Sequence, residues 1–158
     1  MLHLIPAPLH RLLYRIADRL RRQWWKVRRP IRNSVLVIAF DAAGRVLLVR
    51  HSYGPPVWAL PGGGIDRGED PADAAVREFG EELGCPLSEV REMSHVTEPD
   101  SGSMDSLHVF VARVSGTPKA DQRETVAAEF FAPDALPSPA DRRARRWVKQ
   151  AAEQLQKR

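Results

Sequence analysis

The sequence predicts an α/β protein, a mixed sheet with helices on both faces. Three observations predict it: two neighbouring apolar runs rich in β-branched residues at 34–40 and 46–49, a sharply delimited helix at 70–84, and helical patterning at both ends of the chain.

Residues 7–26 read as an amphipathic helix, because Leu9, Leu12, Leu13, Ile16 and Leu20 recur at helical spacing with arginines between them, and Pro30 ends any continuation. The stripe is expected to pack on the domain or on a second subunit, with the arginines in solvent. A homodimer through it is left open. Residues 34–40 read as a strand buried on both faces, 41–44 as a turn and 46–49 as its hairpin partner. A proline-containing loop follows at 51–56, then a short strand at 57–60. Pro61-Gly62-Gly63-Gly64 is expected to be irregular. Asp70 is placed to cap the next helix, Pro71 to open it and Gly84 to stop it. Residues 89–97 and 107–114 read as strands, the polar 98–106 and 116–124 as loops, 127–132 as a strand and 139–156 as a last helix. The expected division is a basic helical extension at 1–30 and a domain at 31–158.

A chain of 158 residues suits one core. Cys85 is the single cysteine, so no intrachain disulfide forms, and its apolar slot suits a buried thiol better than a nucleophile. No stretch approaches the roughly 18 apolar residues of a membrane span. Arg11, Arg15, Asp18 and Arg19 interrupt every apolar run near the N-terminus, leaving no signal-peptide core. A cytoplasmic location is expected. The formal net charge of +4 is uneven: 11–32 and 142–149 are strongly basic, whereas 66–92 carries nine carboxylates against three arginines. The basic helices alone do not argue strongly for a membrane or nucleic-acid partner.

The acidic island carries the chemistry. Glu78, Glu81 and Glu82 stand at i, i+3 and i+4 and share one helix face. Like charges so spaced destabilise a helix by a few tenths of a kcal/mol per pair. A solvated acidic face is one reading of them. A bound hard cation, Mg²⁺ or Mn²⁺, is the other, because the ligands are all oxygens. Two features weigh toward the cation. Ala75, Val76 and Phe79 leave the core only part of the helix, and a glycine-rich loop that admits close backbone approach leads into it. That loop lacks the Gly-Lys-Ser/Thr of a nucleotide P-loop and does not fit the dinucleotide fingerprint.

Residues 63–85 read Gly63, five residues, Glu69, seven residues, Arg77-Glu78-Phe79, one residue, Glu81-Glu82, one residue, Gly84-Cys85. This resembles the Nudix box at every fixed position, with Cys85 a small departure at the last apolar position. Trp58-Ala59-Leu60-Pro61-Gly62-Gly63 also resembles the family's approach to the box. The resemblance implies a Nudix-like α/β/α sandwich and hydrolysis of a phosphoanhydride bond in a nucleoside diphosphate linked to another group. It implies Mg²⁺ or Mn²⁺ held by Glu78, Glu81 and Glu82 with the Gly63 carbonyl. Arg77 would orient a box glutamate, and Glu69 would tie the loop to the helix. Glu78, Arg77 and Glu82 are the catalytic candidates. Many members add an acid from a later loop; Glu124 fits that place, with Glu98 and Glu129 behind it.

Arg50 is a candidate phosphate contact and Tyr53 a candidate base-stacking residue; Trp58 is a third candidate, with a core role as its alternative. The expected partner is a small nucleotide. Nucleotide sugars, ADP-ribose and nucleoside triphosphates stay open, as do a non-catalytic nucleotide-binding module and, given the basic ends, an RNA 5′-end pyrophosphohydrolase.

Overall fold

The structure is a computed structural model that describes residues 7–28, 31–100 and 102–156. The elements run α1 (Ala7–Arg28), β1 (Ile31–Phe40), β2 (Val46–His51), β3 (Gly62–Gly64), α2 (Pro71–Leu83), β4 (Leu87–Asp100), β5 (Ser103–Val114), β6 (Thr125–Phe131) and α3 (Arg142–Gln156). Of the expected extension, residues 1–6, 29 and 30 lie outside the described residues.

The sheet is ordered β4-β5-β1-β2-β6, with β3 added to the edge of β1. β1 and β5 are parallel along the whole of β1, from Ile31↔Met104 to Phe40↔Arg113. Because successive side chains alternate, each central strand feeds two cores. Val35, Val37 and Ala39 of β1 join Leu47, Val49, Phe110 and Ala112 under α2, whose Ala74, Ala75, Phe79 and Leu83 close that side. Ile38 and Phe40 join Val46, Leu48, Leu107 and Val109 under Ala144, Trp147, Val148 and Ala151 of α3. This is the expected α/β/α sandwich.

The sheet splays between β1 and β2, and the splay positions the site. β1 meets β2 at Phe40↔Val46, but further along its edge it pairs with β3 through Ser34↔Gly64 and Leu36↔Gly62. The chain before β3 fills the opening. Val49 and Ala59 exchange both backbone hydrogen bonds at 2.9 Å, and the Val37 amide donates to the Pro61 carbonyl at 2.9 Å. Gly62 has φ +155, and a Cβ there would strike the Val35 carbonyl, so only glycine permits this approach.

Five expectations are corrected. Gly62–Gly64 is a short strand; having no side chains, it shows none of the patterning by which strands are recognised. Residues 57–60 form no strand, only isolated bridges at Trp58 and Ala59. Of residues 98–106, expected to be a loop, 98–100 and 103–106 are instead the paired ends of β4 and β5, with Glu98↔Asp105 and Asp100↔Ser103 paired, and residue 101 lies outside the described residues. The polar side chains of these strand ends are held by ion pairs: Arg143 donates to Glu98 at 2.7 Å and to Asp105 at 3.0 Å, and Arg146 reaches Glu98 at 2.6 Å. Pro99 sits on the edge strand, where a missing N–H is tolerated. α3 starts at Arg142 rather than Pro139, with the Asp141 carboxylate accepting from the Arg143 amide at 3.0 Å.

The fifth correction concerns α1. Its leucine stripe does not pack on the domain: Leu9, Leu12, Leu13, Ile16, Leu20 and Trp24 are 47–66% exposed. Its polar side faces inward instead. His10 and Asp18 are buried. Arg11 donates to the Gln122 carbonyl at 2.9 and 3.0 Å, and Arg15 to the Ser52 carbonyl at 3.0 Å.

Candidate active site

α2 begins where expected. The Asp70 side chain accepts from the Ala72 amide at 2.8 Å, Pro71 opens the first turn, and Gly84 closes the helix at φ 59. The apolar face is drawn to the sheet by Ala75, Phe79 and Leu83, all fully buried. This turns Glu78 and Glu82 toward β3.

Arg77 holds the loop before the helix. Its guanidinium grips Glu69 through two hydrogen bonds at 2.7 and 2.8 Å, donates to Glu78 at 2.8 Å, and reaches the Gly64 carbonyl at 3.0 Å. Glu69 also accepts from the Asp66 amide at 2.8 Å, and its hydrogen bonds to Arg77 above all lower its pKa to about 2. Glu81 is largely exposed and 3.7 Å from Arg77.

Glu78, Glu81, Glu82, Asp121, Arg123 and Glu124 line one cleft of about 790 Å³, floored by Gly62–Gly64 and walled by His10, Tyr14, Arg21 and Tyr53. Glu82 is 5% exposed. Its Oε2 is buried without a hydrogen-bond partner. Burial raises its pKa well above the usual carboxylate value, and the charges of Glu78 and Glu124 add to the effect. Glu78 is raised too, mainly by burial, against the opposing pull of Arg77.

Glu124 is presented by a turn built on Asp121. The Asp121 carboxylate accepts from the amides of Arg123 at 2.9 Å and Thr125 at 2.8 Å. The Glu124 carbonyl accepts from Ser52 at 2.7 Å. Tyr14 of α1 lines the cleft with Glu124; burial first, and then the neighbouring Glu124 side chain, raises the Tyr14 pKa. Tyr14 stacks on Tyr53 at 5.8 Å, and Tyr53 on His51 at 5.3 Å. Burial lowers the His51 pKa, which favours the neutral ring.

The sequence candidates divide. Glu78, Glu81, Glu82, Gly63, Glu124 and Tyr53 line the cleft, and Arg77 braces it. Arg50 lines an adjoining hollow with Arg11, Arg15 and Arg19. Trp58 does not line the cleft: it packs against the α3-side core, edge-on to Phe131 at 5.0 Å, with the Arg50 guanidinium over its ring at 5.7 Å. Glu98 is taken up by Arg143 and Arg146, and Glu129 is exposed on β6. Sequence reasoning missed His10, Tyr14 and Arg21, although His10, Tyr14 and Asp18 form a polar row at i, i+4 and i+8 opposite the leucines. It also missed Asp121 and Arg123, for which no local signal exists.

The residues fit a divalent cation. A buried, unpartnered carboxylate oxygen beside two further acids is costly unless a positive charge meets it. A Cβ at position 63 would lie on the Glu78 carboxylate, so the glycine leaves that carboxylate its place. The acids ring the cleft without closing on a point. Among the described residues, the group that brings three ligand atoms within 4.8 Å of one another is Glu92, His95 and His108 on the β4–β5 hairpin. Wider spacing suits Mg²⁺, which keeps several of its waters.

The NUDIX domain model matches residues 30–151. The chain belongs to the Nudix hydrolase family. An RNA pyrophosphohydrolase of Dinoroseobacter shibae is 35% identical over 108 residues, 67% of this chain and 66% of the relative. A Bacillus subtilis protein provisionally named an 8-oxo-dGTP diphosphatase is 33% identical over 106 residues, 66% of this chain and 69% of the relative. The crystal structure of a MutT NUDIX hydrolase from Burkholderia pseudomallei superposes with a TM-score of 0.69 at 31% identity, covering 77% of this chain and 98% of that one. The alignments to some of the curated RNA pyrophosphohydrolases span only a third of their length. The model match begins at residue 30, so α1 falls outside it.

Proposed function

We propose that this Nudix chain is a Mg²⁺- or Mn²⁺-dependent pyrophosphohydrolase that cleaves a phosphoanhydride bond in a nucleoside diphosphate linked to another group. One observation carries the reading: Glu82 is buried with an unpartnered oxygen, in the same cleft as Glu78 and Glu124 and against the glycine floor. We assign Glu78, Glu81, Glu82, Glu124 and the Gly63 carbonyl to the metal. When bound it neutralises diphosphate charge and acidifies a water.

The chain's own residues do the rest. Arg77 fixes the Glu78 carboxylate and the Gly64 carbonyl in one orientation. We assign Glu82 and Glu124 to orienting the attacking water and accepting its proton, and Tyr14, which lines the same cleft, to supporting Glu124. Phosphoryl transfer asks a protein mainly for such positioning and for charge stabilisation. Tyr53 is assigned to the nucleotide base, and Arg50, supported by Trp58, to the outer part of the substrate. Residues 31–158 would form the catalytic domain and 1–30 an extension that completes its wall. A cytoplasmic location remains part of this reading.

The basic hollow beside the cleft favours one second reading, an RNA 5′ end as substrate, which accords with the name of the Dinoroseobacter relative. Incubation with Mg²⁺ and nucleotide sugars, ADP-ribose, nucleoside triphosphates and 5′-triphosphorylated RNA, with product identification, tests both. Hydrolysis of the RNA alone, weakened by salt, selects the second reading. Nucleotide binding without any hydrolysis would leave a non-catalytic module and overturn both.

A further inference from the structure

α1 carries its largest apolar side chains on the face turned away from the protein. Leu9, Leu12, Leu13, Ile16, Leu20 and Trp24 follow one another at three- and four-residue steps and are each about half exposed or more. A soluble monomer rarely leaves so many contiguous large apolar groups uncovered without a use for them. The orientation is not accidental, because the opposite face is committed: His10 and Asp18 are buried, Tyr14 stacks on Tyr53 in the cleft, and Arg11 and Arg15 hold carbonyls of Gln122 and Ser52. Turning the leucines inward would break all of these contacts.

Charge selects the occupant. Residues 7–28 contain six arginines and one lysine against a single acid, Asp18, and Arg19 is exposed beside the apolar face. A second copy of the helix would bring two such margins together and set like charges along the seam. A nucleic acid would meet leucines, not arginines, on the outward face. An anionic lipid surface answers both halves of the pattern, since it accepts apolar side chains at the acyl boundary and attracts the cations that flank them. α1 does not have the composition to cross a membrane: among the described residues no helix is long and apolar enough.

We propose that α1 is an interfacial helix that docks this Nudix chain on an anionic phospholipid surface, with Leu12, Leu13, Ile16 and Leu20 at the acyl boundary. The catalytic cleft, walled by the inward face of the same helix, is thereby held close to the membrane.

The test is co-sedimentation of the full chain with vesicles of phosphatidylcholine alone and of equimolar phosphatidylcholine and phosphatidylglycerol. It is run for the wild type and for Leu12→Ser/Ile16→Ser, whose positions are exposed and lie outside the cleft. The wild type is expected to bind the anionic vesicles, and the double variant to bind on the order of tenfold more weakly or less. The variant should keep the wild-type circular dichroism and melting temperature. Quenching of tryptophan emission by brominated lipid, lost in Trp24→Phe, would support the proposal. Absence of wild-type binding at low salt would overturn it. So would binding that the double variant retains in full, which would reduce it to non-specific charge attraction. A wild-type dimer in light scattering that the variant abolishes, with no vesicle binding, would assign the face to a second copy instead.

Discussion

Gly63 and Glu78 are packed so that a Cβ on the first would fall on the carboxylate of the second. The obstructed group is the end of a flexible side chain, whereas at Gly62 it is the backbone carbonyl of Val35. The two glycines should therefore fail differently. Gly63→Ala should fold with a near-normal melting temperature and lose activity by about 10²-fold, as the Glu78 carboxylate is pushed aside. Gly62→Ala must open the β1–β3 pairing and should cost on the order of 1–3 kcal/mol of stability. Paired denaturation and kinetic measurements check both; a Gly63→Ala enzyme with full turnover would remove the Glu78 assignment.

Glu82 links stability to pH and to metal. Its carboxyl is raised above 4.5 in the folded chain and stands near 4.5 when unfolded. The folded state thus holds that proton more tightly. The contribution to stability is whole below pH about 4.5 and is lost as pH rises through the raised value. Glu78 shifts in the same direction. Metal-free protein should melt lower at pH about 8 than at pH about 5, Mg²⁺ should restore most of the difference, and Glu82→Gln should flatten the profile. The same substitution should lower kcat by roughly 10²-fold. Melting scans with and without chelator decide the first part, steady-state kinetics the second.

Arg77 acts through its fork. It binds both oxygens of Glu69 and one of Glu78, a geometry that lysine's single ammonium cannot reproduce. Arg77→Lys should lower kcat by about 10- to 100-fold and weaken Mg²⁺ dependence. Glu69→Gln keeps an acceptor and should lose less. Because the folded Glu69 pKa is near 2, below its usual 4.5, the stability it supplies is present above pH about 4.5 and fades as pH falls toward 2. Titration of activity against Mg²⁺ and an acid-unfolding curve test these effects.

Tyr14 lies outside the matched family domain yet lines the cleft with Glu124. Tyr14→Phe should reduce kcat by on the order of tenfold with little change in KM, since the polar hydroxyl beside Glu124 is lost while the ring stacking on Tyr53 is kept. The effect should vanish in a Glu124→Gln background, which a double-mutant cycle would reveal. Additive losses would detach the helix from the chemistry.

Sequence alone determined what is encoded within a turn or two of chain. The Asp70 cap, the Gly84 stop, the shared face of Glu78 and Glu82 and the two-faced burial of β1 follow from local spacing, whereas the role of Arg77 was implied only by the resemblance to the Nudix box. Spacing is periodic, so those features are visible before folding. Tertiary structure decided what depends on partners far along the chain. Gly62–Gly64 became a strand because β1 offered a free edge, and 98–100 and 103–106 became paired strand ends because Arg143 and Arg146 neutralise their acids. Glu124 entered the cleft because the Asp121 turn and Ser52 carry it there. The direction of α1 had the same origin. Periodicity revealed that one side of it was apolar, but only the carbonyls of Ser52 and Gln122, both distant in sequence, turned its polar side inward and left the leucines facing out.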